Sequence, residues 1–438
     1  MTPLTRLNGS TAGATVEDPD TIQVQLTLGV VGLGYVGLPT AISFLTRGHE
    51  VVGFDVSEER LAAIRSGDVD LLPVDHERLA AATNFRLTSD AKDLQDCDAV
   101  IIAVPTPVDR HLVPDLSMLT SACKAVVENA TADQVVILTS TTYAGTTADL
   151  LVGPLTKRGF KIGAGVHVAF SPERIDPAST TFHQDDVPRV VGGVTDECAR
   201  RAKAVLSVVA PSVHVVSSPE AAELTKLMEN TFRAVNISLA NEFADISRAL
   251  GIDPIEVIEA AATKPFGFMP FYPGPGIGGH CIPCDPRYLQ WQLRPHRTPT
   301  NIIDSAMEHM IQRPVTIVRR VAEVLAEAGR STKGAKVLVV GVAYKPNVQD
   351  VRESPALDIL ELLVEHGIDV DYYDPLVTSL RLNDGSQMKS TEHLDVEAYD
   401  LVLAHTLHAE TDIADLARSA ILLDATFRLP ATPNRVLP

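Results

Sequence analysis

A chain of 438 residues that is 45% hydrophobic and 21% charged is too long for one core and too apolar for a disordered or fibrous protein, so two or three globular domains are expected. Its 37 basic against 56 acidic residues leave a formal net charge of −19. That balance repels nucleic acid and anionic membrane and confines any bound phosphate to a local basic or amide-lined pocket. No stretch nears the ~18 consecutive apolar residues of a membrane span, and the start shows no basic region followed by an apolar one. Five scattered cysteines make no disulfide framework and fit a reducing cytoplasm.

Residues 1–25 are polar and turn-rich and read as a mobile tail. From Leu26, "LTLGVVGLGYVGLPTAISFLTRGHEVVGFDV" reads as strand, glycine-rich turn, helix and a second strand ending at Asp55. Short apolar runs follow at "DAVIIAVPTP", "QVVILTSTT", "VHVAFSPE" and "RVVGGV", with helix-like segments such as 116–129 between them. Alternating strands and helices predict a parallel, doubly wound sheet over 26–212. From Pro219 to about Leu250 the apolar residues Leu224, Leu227, Phe232, Val235, Leu239, Phe243, Ile246 and Leu250 recur at spacings of three and four. That predicts one helix far beyond the usual ~10–14 residues, bridging two domains or packing on its own copy in a dimer. A helical region is expected over 213–330. At Ala335 the strand–helix alternation restarts and continues through "YDLVLAHT" and "AILLDAT". The expected fold is therefore α/β, two doubly wound Rossmann-like domains (26–212 and 331–438) joined by a long central helix and a helical middle domain.

Gly32, Gly34 and Gly37 of "GLGYVG" follow an apolar strand and open a helix. The first glycine permits the tight turn, the second lets backbone approach a pyrophosphate, and the third lets helix pack on strand. The helix N-terminus offers free amides to the anion. Asp55 ends the next strand about 20 residues on, where a carboxylate binds ribose hydroxyls and repels the extra phosphate of NADP. NAD is the expected cofactor.

"PGPGIGGHCIPCDP" places Cys281 and Cys284 in a proline- and glycine-rich loop beside His280. A redox pair normally sits where a strand gives way to a helix, and a structural zinc site needs two further ligands that no second Cys-x-x-Cys or matched His pair supplies. Two inert thiols remain possible, as does one nucleophilic thiol in a loop whose glycines let substrate approach the backbone.

This loop, together with "GVVGLGYVGLPTA", "AVPTP", "STTYAGTT", "FSPERIDP", "AELTKLMENTFRAVNISLANE" and "GVAYKPNVQDVRESPA", resembles the nucleotide-sugar 6-dehydrogenases of the UDP-glucose/GDP-mannose dehydrogenase family over nearly the whole chain. The resemblance implies an N-terminal NAD domain, a helical dimer-forming centre and a C-terminal nucleotide-sugar domain. It further implies oxidation of a sugar 6-hydroxyl to a carboxylate with two NAD and no released aldehyde. Cys281 would be the nucleophile that traps the aldehyde. Lys226 would stabilise the oxyanions, with Asn230 one turn along the same face. Asp285 would partner a water acting as base, Glu173 would be the base for thioester hydrolysis, and Thr141 would touch the nicotinamide side or a bound water. Tyr35, Val36, Pro105, Thr106 and Thr141 would line the cofactor, with Arg352 reaching it across the domain cleft. Arg174, Gly278 and Lys345 would join Glu173, Lys226 and Asn230 at the substrate. Ser354 and Pro355 read as the start of the helix after the Lys345–Arg352 loop.

His280 before Cys281, and Cys284 where the UDP-glucose and GDP-mannose branches carry lysine, resemble the branch acting on UDP-N-acetylhexosamines, as does "TKPFGFMPFYPGPG". That implies UDP-GlcNAc or UDP-ManNAc as substrate, feeding surface polysaccharide, and leaves Cys284 without an assigned role beyond a spacer or a thiol that could oxidise onto Cys281. A UDP-glucose 6-dehydrogenase is the nearest alternative. A two-electron dehydrogenase of the 3-hydroxyacid or 6-phosphogluconate type needs neither the cysteine nor the second doubly wound domain, and an NAD-binding scaffold needs none of the catalytic set. Partners are expected to be a UDP-sugar and further copies of the chain, as a dimer or higher homo-oligomer, with no nucleic acid, membrane or metal.

Overall fold

The computed structural model describes residues 25–69, 71–109, 111–174, 184–279 and 282–438. The proposed tail and both His280 and Cys281 therefore lie outside the described residues, apart from residue 25.

Eight strands form the first sheet: β1 (Thr27–Val31), β2 (Glu50–Phe54), β3 (Phe85–Thr88), β4 (Ala99–Ile102), β5 (Val135–Leu138), β6 (His167–Phe170), β7 (Arg189–Gly193) and β8 (Val213–Val216). Their spatial order is β3-β2-β1-β4-β5-β6-β7-β8. β4 and β5, read "AVII" and "VVIL", are buried at every position, as parallel strands covered on both faces must be. The expectation of a wholly parallel sheet needs one correction, because β7 runs antiparallel to β6, pairing Ala169 with Gly193. A short apolar strand carries no signal of its own direction, so the sequence does not reveal the reversal.

The glycine turn follows β1. Gly32 has φ +86°, and a Cβ on Gly37 would stand 1.8 Å from the Gly32 carbonyl oxygen, so helix α1 (Gly37–Leu45) can pack this close only without a side chain there.

α2 (Pro219–Leu250) is one helix of 32 residues. Ser218 caps it by accepting from the Ala221 amide, Pro219 occupies its first turn, and Gly251 at φ +70° ends it. One face of α2 is buried (Leu227, Asn230, Ala234, Asn241), whereas Leu224, Met228, Phe232, Leu239, Phe243, Ile246 and Leu250 are exposed. α3 (Asp285–Leu293) and α4 (Asn301–Glu327) pack on α2. The first half of α4 places Met307 and Met310 against Ala234 and Ile282. Its last turns place Ile317, Val321 and Leu325 in the core of the next unit.

That unit carries β9 (Lys336–Val340), β10 (Asp369–Tyr373), the hairpin β11 (Ser379–Arg381) and β12 (Gln387–Lys389), then β13 (Leu401–Ala404), β14 (Leu422–Asp424) and β15 (Arg435–Val436). Its main sheet is parallel throughout, in the order β10-β9-β13-β14-β15. α5 (Pro355–Glu365) starts as the sequence predicts, with Ser354 accepting from the Ala356 amide and Pro355 in the first turn.

Candidate active site

The C-terminal ends of β1, β4 and β5 meet where the strand order reverses, the crevice in which open α/β sheets bind ligands. Gly32, Gly34, Tyr35 and Val36 follow β1, Pro105 and Thr106 follow β4, and a half-buried Thr141 follows β5. Asp55 directly follows β2, with Oδ2 accepting from the Leu33 amide at 2.9 Å and Oδ1 from the Ser57 amide at 2.9 Å. A carboxylate has about four acceptor positions, so two remain for ribose hydroxyls. These residues fit NAD.

α2 crosses beside this crevice and presents Glu223, Lys226 and Asn230 on one buried face. Lys226 Nζ donates to the backbone carbonyl of Glu173 at 2.7 Å. Asn230 Nδ2 donates to Asp285 Oδ2 at 2.5 Å. Asp285, the first residue of α3, is 2% exposed, and burial pushes its carboxyl up to about 6 against the opposing pull of the Lys226 ammonium and the Asn230 hydrogen bond. Glu173 is buried beside them, with Oε2 accepting from Arg189 Nη1 at 2.6 Å and Oε1 from the Arg174 amide at 2.7 Å. Four predicted site residues thus meet in one buried cluster. Arg174 turns its guanidinium instead to Glu229, at 2.7 Å, and to the Pro188 carbonyl.

The loop before α3 touches the third unit. The Gly279 amide donates to the Arg352 carbonyl at 3.3 Å. A Cβ on Gly278 would stand 2.6 Å from the Glu353 oxygen, and one on Gly279 would stand 2.8 Å from the Tyr344 ring. These glycines thus have a packing role as well: they let the loop lie on the third unit. The Arg352 guanidinium sits 4.8 Å from the centre of the Tyr35 ring and pairs with Asp350, closing the third unit over the glycine turn. Lys345 is half-buried in the same loop.

Three family domains match in this order: the NAD binding domain of the UDP-glucose/GDP-mannose dehydrogenase family over residues 26–210, its central domain over 220–309 and its UDP binding domain over 338–429. The chain belongs to that family. It is 36% identical to a UDP-N-acetyl-D-glucosamine 6-dehydrogenase of Pseudomonas aeruginosa over 81% of this chain and 84% of that protein. It is 34% identical to a UDP-N-acetyl-D-mannosamine dehydrogenase of Pyrococcus horikoshii over 88% and 90% of the two chains. A solved UDP-D-ManNAc dehydrogenase from Pyrococcus horikoshii superimposes with a TM-score of 0.84 at 31% identity, covering 94% of this chain and 98% of that one. The protein is an NAD-dependent nucleotide-sugar 6-dehydrogenase with a UDP-sugar as substrate.

Several residues of the dehydrogenase site escaped the sequence reading. Arg189, 5% exposed, holds the Glu173 carboxylate, and a charged residue opening a buried strand is the signal that it needed an acidic partner. Glu223 accepts from the Gly145 amide at 2.5 Å and from the Thr147 amide and hydroxyl, tying the loop after β5 to α2, and burial pushes its carboxyl up. Tyr288 donates to the Thr106 carbonyl at 3.0 Å, and Gln292 makes two bonds to the Ala144 backbone. Cys284 is buried at the start of α3. Among the described residues no group of three or more His, Cys, Asp or Glu is placed to hold a metal ion, and no helix is long and apolar enough to cross a membrane.

Proposed function

We propose that this dehydrogenase oxidises the 6-hydroxyl of a UDP-N-acetylhexosamine, UDP-GlcNAc or UDP-ManNAc, to the uronic acid in two hydride transfers without releasing the aldehyde. The observation that carries the reading is the buried cluster of Lys226, Asn230, Asp285 and Glu173, gathered from three chain segments around the start of α3, four residues after Cys281. The glycine turn after β1 and Asp55 would hold NAD, which when bound would supply the hydride acceptor for both oxidations at carbon 6. Asp285, ionised and beside Asn230, takes the hydroxyl proton through a water. The Cys281 thiolate adds to the aldehyde carbon, and the Lys226 ammonium and Asn230 amide hold the oxyanion of the thiohemiacetal. Loss of the second hydride leaves a thioester. Glu173, its carboxylate held by Arg189, removes a proton from the water that attacks the thioester carbon and expels the thiolate.

Arg352, over Tyr35, sits on the cofactor side of the cleft, and Lys345 serves the sugar-nucleotide side. The acetamido sugar is supported by His280 and Cys284 around Cys281 and by the names of the two relatives. The exposed apolar row on α2 supports a homodimer or larger assembly, the five scattered cysteines support a cytoplasmic enzyme, and the resemblance to the acetamido-sugar branch supports a role in polysaccharide synthesis. The test incubates the protein with NAD and, separately, UDP-GlcNAc, UDP-ManNAc, UDP-glucose and GDP-mannose. Two NADH per acetamido sugar are expected. Turnover of UDP-glucose alone would keep the mechanism and reject the substrate, and one NADH per sugar with free aldehyde would reject the mechanism.

A further inference from the structure

The two main sheets repeat one local arrangement. In the first, the Gly32 amide donates to the Phe54 carbonyl at 2.9 Å and the next amide, Leu33, to Asp55 Oδ2 at 2.9 Å. In the second, Gly341 donates to the Tyr373 carbonyl at 2.8 Å and Val342 to Asp374 Oδ2 at 2.8 Å. Asp374 therefore stands in the third unit where the ribose-binding Asp55 stands in the first.

Their occupancy differs. Asp55 is half-buried and accepts from two amides. Asp374 is 2% exposed and accepts from Val342, from Ala343 at 3.3 Å, from Leu376 at 2.9 Å, from Val377 at 3.0 Å and from His408 Nε2 at 3.1 Å. Five donors exhaust the acceptor positions of one carboxylate, so no ribose hydroxyl can be added.

The other ring nitrogen of His408 faces the cleft loop. His408 Nδ1 accepts from the Asn347 amide at 2.9 Å, which assigns the neutral ring with its proton on Nε2. Asn347 holds φ +62°, and its side chain accepts from the Ala409 amide at 2.8 Å. Asparagine is the non-glycine residue that adopts the left-handed region most readily, and here the bonds to His408 and Ala409 fix it there. The loop so pinned carries Lys345, then Arg352, and meets Gly279 two residues before Cys281.

We propose that His408 is a positioning residue of the nucleotide-sugar cleft: its imidazole takes the place of a ribose on Asp374 and, through Nδ1, holds the Lys345–Arg352 loop in its binding position. The inference rests on the reading above that this loop contacts the UDP-sugar and the cofactor. It also makes the third unit a dinucleotide-type fold closed to a second dinucleotide.

Two near-isosteric variants separate positioning from general stability. His408→Asn sets an amide oxygen near Nδ1, keeping the acceptor for Asn347 and losing the donor to Asp374. His408→Gln does the reverse. Calorimetric titration of the full-length protein with UDP, beside thermal melting, reads both. The expected result is a Kd for UDP about tenfold weaker in His408→Gln, the effect of one lost hydrogen bond on the loop, and within about threefold of wild type in His408→Asn. Affinity that follows the melting temperature, with His408→Gln the milder change because buried Asp374 keeps its partner, would overturn the proposal, as would unchanged affinity in both variants. A wild type that does not bind UDP would overturn the functional reading and this inference together.

Discussion

Asp285 shows how one residue is tuned by what surrounds it. Its carboxyl rises from 3.8 to about 6 because burial outweighs the Lys226 ammonium and the Asn230 hydrogen bond. A raised carboxyl binds its proton more tightly in the folded state, so Asp285 favours folding at low pH, and that stabilisation is lost as pH climbs from the ordinary aspartate range through about 6. The chemistry has the opposite sign, since the proposed base must be ionised. The pH profile of kcat/KM should therefore fall on the acid side with a midpoint near 6. Asp285→Asn should lose about 10²–10⁴ of the rate and remove that limb. An unchanged acid limb in the variant would assign it to another group. Lys226, Asn230, Asp285 and Glu173 are each ordinary polar residues in sequence, and only the resemblance to a family singled them out as a set. Arg189 and Glu223 stayed hidden because their partners, Glu173 and the Gly145–Thr147 backbone, become neighbours only when the sheet and α2 pack.

At the scale of elements, α2 was legible in full, because an apolar spacing of three and four with Gly251 at its end specifies one helix from Pro219 to about Leu250. The glycine turn and Asp55 were legible for the same reason, a local constraint with a local signature. The reversal of β7 was not, since a short apolar strand reads the same in either direction. Nor was the packing role of Gly278 and Gly279, whose neighbours Tyr344, Glu353 and Pro355 lie on the third unit. The site depends on how α3 is seated: Tyr288 bonds the Thr106 carbonyl, Gln292 bonds the Ala144 backbone, and Trp291 meets Tyr143 edge to face with ring centres 5.5 Å apart. Tyr288→Phe leaves the Thr106 carbonyl without this donor and should destabilise the fold by about 1–2 kcal/mol, read as a lower denaturant midpoint at unchanged slope. A midpoint equal to wild type would show that the tether carries no stability.

Across the whole molecule, two α/β units close over one helix, and the helix leaves an apolar row uncovered. Leu239, Phe243 and Ile246 are each exposed by more than two fifths, and with Leu224, Met228 and Leu250 they extend along most of α2. Unpartnered apolar surface of this length marks an interface, and a second copy of the same helix is the partner we propose. Phe243→Glu should convert the assembly to monomers in sedimentation velocity without altering the far-ultraviolet circular dichroism. Retention of the wild-type sedimentation coefficient would move the interface elsewhere.

The central claim is that Cys281 carries the sugar as a thioester which Glu173 releases. Intact-mass spectrometry of Glu173→Gln, quenched in acid after incubation with NAD and the accepted UDP-sugar, tests it most directly. The account predicts a covalent adduct of the substrate's mass less the hydrogens removed in the two oxidations, mapping to Cys281 on digestion and absent in the Glu173→Gln, Cys281→Ser double variant. NADH formation with no adduct on Cys281, or an adduct that survives in the double variant, would contradict it.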